Sequence, residues 1–167
     1  EWSYRRLVHA GAKLSDADRT RLQEINKESS TLSTTFARKL LAATRAGGLV
    51  VDDKSTLAGL SDAEIDAAAQ DANGRGLTGK WLIPLQNTTQ QPDLTPLDNR
   101  VVRQQLFEAS WTRAEKNDSN DTRATVARLA QLRAEKAKLL GYPNYAAWVL
   151  EENMAKTPAT VLKFVRD

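Results

Sequence analysis

The stretch SDADRTRLQEINKESSTLSTTFARKLLAATRAGG, from Ser15 to Gly48, decides the fold class of this chain. Ser15 can accept a bond from a free amide at a helix start, and Asp18 follows at the three-residue interval of a capping box. Leu22, Ile25, Leu32, Phe36 and Leu40 then recur at helical steps, with Ser29 in the gap. They form one apolar stripe over about five turns. Arg19, Lys27, Glu28 and Arg38 lie mostly off the stripe. Gly47-Gly48 is expected to end the helix by supplying a residue free to take positive φ.

Working outward, the pattern stays mostly helical. Leu49-Val50-Val51 and Trp81-Leu82-Ile83 read as short strands, with Pro84 restricting the second to an edge or a strand end. Between them Ser61 and Glu64 make a capping box, flanked by Leu60 and Ile65 at hydrophobic-staple positions. Gln86 to Gln91 is polar and uncharged and reads as a loop or extended segment before Pro92. Thr95-Pro96 is expected to open a helix carrying Val102, Leu106 and Ala109, its apolar face widened by Phe107 and Trp111. Asn117 to Asp121 is a turn, with Asn120 or Asp121 capping a helix that bears Val126, Leu129, Leu132, Leu139 and Leu140 and stops at Gly141. Asn144 re-caps a short helix with Trp148 and Leu150, and Thr157-Pro158 opens a last one. The expected class is mainly α, a helical domain segment with one or two short strands spanning 1–167.

Composition bounds the chemistry. The chain has 167 residues, 41% hydrophobic and 27% charged, with a net charge of +3. That is enough for one domain or for a large piece of a bigger one. Alanine occurs 24 times, so much of the apolar fraction is small helix-favouring surface and the core is expected to be thin. There is no cysteine, which excludes disulfides and thiolate chemistry, and one histidine, His9, which excludes any His-pair metal motif within these residues. The lack of cysteine is compatible with a reducing compartment. The expected localisation is cytoplasmic, with the periplasm left open. No apolar stretch is long enough to suggest a membrane span. The first residue is Glu1, and the last helix runs to Asp167 without a C-terminal glycine. Both ends lead us to expect a piece of a longer polypeptide.

Short motifs add little. Gly74-Arg-Gly-Leu-Thr-Gly79 fits G-x-G-x-x-G, but a dinucleotide site needs a strand before it and a helix after it, and here the order is reversed. Asp118 to Thr122 begins like a calcium loop but has Arg123 where the turn glycine belongs. Asn87, Asn117 and Asn120 head glycosylation-type triplets. His9 reads as a structural or exposed side chain, and Asp52-Asp53 and Glu151-Glu152 as solvated charge. Arg123, Arg128, Arg133, Lys136 and Lys138 make one helix basic, and an autonomous helical binding module using that face is the competing functional reading. Glu135 interrupts the run, a solvated helix face predicts the same pattern, and neither nucleic acid nor membrane is expected as a partner.

Several strings, in order, carry a resemblance. They are Ala42-Ala-Thr44, Leu49 to Asp53, Leu57 to Ser61, and GKWLIPLQNTTQQP from Gly79 to Pro92. Leu106 to Arg113, Asn120 to Arg123, Leu139 to Trp148 and Met154 to Pro158 follow. From about Leu7 onward the chain resembles the region upstream of the active site in peptidyl-dipeptidases (dipeptidyl carboxypeptidases). These belong to the zinc metallopeptidase family that includes thimet oligopeptidase and oligopeptidase A. The resemblance implies a mostly helical, two-lobed enzyme with a deep channel that hydrolyses short peptides. It also implies zinc held by the two histidines of H-E-x-x-H plus a further glutamate. That motif is absent from these 167 residues, so no catalytic, cofactor-binding or metal residue is assigned. The chain is expected to be a channel-wall part, inactive without the catalytic lobe and prone to self-association when isolated. Gln86 to Gln91 is the candidate channel lining.

Overall fold

A computed structural model describes residues 2–86 and 90–167. Its contacts divide the chain into two compact units, residues 1–35 with 124–167, and residues 36–123. Among the described residues there are eight helices and one two-stranded sheet.

The first unit holds α1 (Trp2–His9), the start of α2 (Asp16–Ala46), most of α6 (Arg123–Leu139), α7 (Tyr145–Leu150) and α8 (Pro158–Arg166). As the capping spacing requires, the amide of Asp18 donates to Ser15 Oγ at 3.1 Å. Leu22 and Ile25 are buried, as are Leu132 and Ala137 of α6. Val126, expected on the apolar face of α6, is instead 49% exposed, and Thr125 beside it is buried.

Two charge forks tie α2 to α6. Arg21 donates through Nε at 2.6 Å and Nη2 at 2.9 Å to the two carboxylate oxygens of Glu135. Arg128 does the same to Glu28, at 2.6 and 2.8 Å. The forks lie seven residues apart on each helix with opposite polarity, so α2 and α6 run antiparallel here. Such bidentate pairs are stronger and more directional than single contacts. Asn144 accepts from the Ala147 amide and Thr157 from the Thr160 amide, which starts α7 and α8 where the sequence places them.

α1 carries no start signal in the sequence and was not anticipated. It is mostly exposed, and its last residue, His9, holds it to α7.

The second unit is built on β1 (Leu49–Val51) and β2 (Trp81–Ile83), antiparallel with Val50 opposite Leu82. A 3-10 turn, Lys54–Leu57, and α3 (Asp62–Gly74) lie between them. Pro84 follows the last residue of β2 and so removes no ladder bond. The capping box forms as expected: Ser61 Oγ accepts from the Glu64 amide at 3.4 Å, and Glu64 Oε2 accepts from the Ser61 amide at 2.7 Å. Val51, Leu57, Leu60, Ile65, Ile83, Leu85, Leu97, Val102 and Leu106 form one core cluster.

Gly47 and Gly48 end α2 for a different reason from the one expected. Neither takes positive φ; a Cβ on Gly47 would lie 2.6 Å from Leu85 Cδ1, and one on Gly48 2.4 Å from Leu82 Cδ1. Close approach of the strand region selects them.

α4 (Gln90–Asp93) takes in Gln90 and Gln91, where a loop was expected, and Asn87 to Thr89 lie outside the described residues. α5 (Arg100–Trp111) starts later than Thr95-Pro96 would have it. Asn99 is the cap, its Oδ1 accepting from the Val101 and Val102 amides. The delay is tertiary in origin: the Asp98 amide donates to Ala58 O at 2.9 Å, and Leu97 is buried in the core. Those contacts hold residues 96–98 against the segment at Gly59. The buried face of α5 is Val102 and Leu106, whereas Phe107 and Trp111 point outward, 49% and 74% exposed.

Candidate functional site

Each unit has a depression. In the first, α1 and the segments flanking α7 frame a cleft of about 400 Å³ lined by Trp2, Tyr4, His9, Tyr142 and Glu151, among others. His9 lies flat on Trp148, with ring centroids 4.8 Å apart, and Tyr142 meets it edge-on. His9 Nε2 is 2.9 Å from Trp148 O, and Trp148 Nε1 donates back to His9 O at 3.2 Å. A carbonyl can only accept, so in this contact Nε2 carries the proton.

The Tyr142 hydroxyl donates to Glu151, and burial followed by that bond pushes its pKa up to about 12. Glu151 Oε2 is also 3.8 Å from His9 Nε2. Glu151 has these partners while remaining exposed, as the reading of solvated charge has it. Asp52, 2.8 Å from Lys80 Nζ, and Asp53, which caps the 3-10 turn through Ser55, are likewise exposed. The sequence reading of His9 as a structural side chain fits its double tie to α7.

The basic face of α6 is largely engaged within its own surroundings. Arg123 binds Asp121, whose carboxyl that contact holds well below the usual range. Arg128 binds Glu28, Arg133 lies over the Tyr145 ring, and Lys136 donates to Asn26 while lying over Trp148. Charges committed in this way offer little to an external phosphate, which weighs against the binding-module reading.

In the second unit a groove of about 660 Å³ is lined by Leu40, Thr44, Gln91, Leu94, Phe107, Ser110, Trp111, Arg113, Ala114, Glu115 and Thr122. Gln91 belongs to the polar stretch singled out in the sequence. Phe107 and Trp111, one turn apart on α5, stack with centroids 5.6 Å apart. Arg113 is half-buried. Its Nε donates to Ser110 O at 2.9 Å and its Nη2 to Ser110 Oγ at 2.8 Å. Its Nη1 reaches Leu85 O at 3.2 Å and Thr44 Oγ1 at 3.4 Å. Sequence reasoning did not single out this arginine, because spacing does not reveal which cation lacks an anionic partner.

Asp93, on α4, is 7% exposed, and burial with the Glu64 carboxylate nearby pushes its carboxyl up to about 6. Among the described residues no group of three or more His, Cys, Asp or Glu side chains is arranged to hold a metal ion.

Residues 94–167, which include α5 to α8 and Arg113, match the model of Peptidase family M3. Over 164 residues the chain is 54% identical to the dipeptidyl carboxypeptidase of Escherichia coli (strain K12), covering 98% of this chain and 24% of that protein. Residues 94–167 of this chain are therefore similar to family M3 peptidases. The dipeptidyl carboxypeptidase of Salmonella typhimurium is 55% identical over 163 residues, again 98% of this chain and 24% of the relative. A probable cytosolic oligopeptidase A of Arabidopsis thaliana is 34% identical over 169 residues, 98% of this chain and 23% of the relative. The chain thus spans about a quarter of the length of the curated relatives it matches. The M3 match begins at Leu94, at the edge of the groove, while the likeness to the dipeptidyl carboxypeptidases extends over both units.

Proposed function

We propose that this chain is the helical, channel-wall part of a zinc-dependent peptidyl-dipeptidase that hydrolyses short peptides and releases C-terminal dipeptides. The observation that carries the reading is 54% identity to a dipeptidyl carboxypeptidase across 98% of the chain. The residues in hand do not make a zinc site: His9 is the single histidine, there is no cysteine, and His9 Nε2 is engaged by Trp148. The metal, which polarises a peptide carbonyl and activates water when bound, belongs on this reading to residues outside the chain. This chain's contribution is a shaped, rigid wall. The groove beside Gln91 is the part of it that faces substrate.

The test uses the longer protein that contains this sequence. It is incubated with N-acetylated peptides bearing a free C-terminus, and products are followed by mass spectrometry. Dipeptides released in sequence from the C-terminus, abolished by a chelator and restored by zinc, are expected. Release of single amino acids, or cleavage at internal bonds alone, would contradict the assignment. The 167-residue chain by itself is expected to release nothing. Substitution of Asn87 and Gln90 by alanine in the longer protein tests the lining role of the polar stretch, and an unchanged kcat/KM would remove it.

A further inference from the structure

We propose that the groove of the second unit is a docking site for the C-terminal carboxylate of a short peptide, with Arg113 receiving the carboxylate and the Phe107–Trp111 pair receiving the apolar side chain beside it. The proposal rests on the peptidase reading for the class of ligand, and on three features of the groove for its chemistry.

The first is the charge on Arg113. All four of its hydrogen bonds go to neutral acceptors, two carbonyls and two hydroxyls. No carboxylate lies within ion-pair distance of it among the described residues. Tying carbonyls together needs donors but not a charge, and a half-buried cation without a counter-ion is costly to keep. A guanidinium has five N–H donors, so one on Nη2 is left for a ligand. The bonds to Ser110 hold the fork in place before any ligand arrives, which lowers the ordering cost of binding.

The second feature is the aromatic wall. Trp111 is 74% exposed and stacked on Phe107, which is itself 49% exposed. Neither ring belongs to the core cluster. Exposed stacked aromatics beside a fixed cation suit a ligand that joins an anion to an apolar side chain.

The third feature is size and sign. A groove of about 660 Å³ falls within the range of sites that take small molecules. Glu115 also lines it and is exposed. Its charge disfavours a multiply charged anion such as phosphate relative to a single carboxylate.

The isotope-labelled chain is titrated with N-acetyl-Ala-Phe and, in parallel, with its C-terminal amide, while the indole N–H resonances are followed. Trp2, Trp81 and Trp148 line no part of the groove and serve as internal controls. Saturable shifts at Trp111 are expected with the carboxylate, and at least roughly tenfold weaker binding with the amide. Trp111→Ala should weaken binding with an unchanged unfolding midpoint, because the ring is exposed. Arg113→Lys, which keeps the charge and loses the fork, should weaken it roughly tenfold as well. Equal binding of acid and amide, equal binding of inorganic phosphate, or no shift at Trp111 would overturn the proposal. Because the readout is binding by this chain, a negative result here leaves dipeptide release by the longer protein as a separate outcome, and the reverse also holds.

Discussion

The carbonyl oxygen of Pro96 occupies the place where a Cβ on Gly59 would stand, only 1.9 Å away. Gly59 also has φ +98°, a conformation that side chains rarely adopt. Steric and backbone demands coincide at one residue, at the point where the segment before α5 crosses the segment before α3. Gly59→Ala is expected to destabilise the chain by about 2–4 kcal/mol or to prevent folding. Gly74→Ala, with nothing within 4 Å of its added methyl, is expected to be neutral or stabilising by up to about 1 kcal/mol. Urea unfolding of both variants provides the comparison.

The core of the second unit predicts an equally direct contrast. Leu106 is fully buried on α5, and Val101 on the same helix is 63% exposed. Leu106→Ala should cost about 2–5 kcal/mol through lost contacts and a residual cavity. Val101→Ala should stay within about 0.5 kcal/mol. A similar loss for both would mean that α5 packs through a different face.

Asp93 makes stability depend on pH. Its folded-state pKa, about 6, lies above the usual carboxylate range, so the folded form binds the proton more tightly than the unfolded form. Stability from this group therefore begins to rise as pH falls through 6 and reaches its full gain, on the order of 2–3 kcal/mol, only near the ordinary carboxylate pKa of about 4. Asp93→Asn should remove that gain between pH 7 and 4. In the acid part of that window and below it Glu28, Glu64 and Glu135, all held below their ordinary pKa by hydrogen bonds from Arg128, Ser61 and Arg21, act in the opposite sense and lose stabilisation as they protonate. Unfolding midpoints of both proteins across pH 4–8 give the difference curve.

The charge forks are exposed enough for salt to weaken them. Glu135→Lys should lower the thermal midpoint by setting two cations together. The exchange Arg21→Glu with Glu135→Arg should recover most of the loss. Circular dichroism melts at low and high salt test this, and the deficit of the single variant should shrink in high salt.

The elements most legible in the sequence were those specified locally. Ser61 with Glu64, Asn144, and Thr157 with Pro158 each name their own helix start, and the bonds form within four residues of the cap. Elements fixed from a distance were not legible. The start of α5 moved to Asn99 because Leu97 is drawn into the core and the Asp98 amide bonds Ala58, about forty residues away. α1 is held by Trp148, far along the chain. The groove was the least legible feature. Gln91 was singled out for polarity alone, and the isolation of the Arg113 charge depends on Ser110, Thr44 and Leu85 meeting in space.

The reversed polarity of the forks that join Arg21 to Glu135 and Arg128 to Glu28 works as a ruler. Sliding α6 by two turns along α2 in one direction would set Arg21 against Arg128, and in the other Glu28 against Glu135. Either displacement replaces attraction with repulsion. An apolar seam with the same seven-residue spacing would tolerate both misalignments, so these four side chains select one frame for the two helices among neighbours that oily packing alone would leave nearly equal.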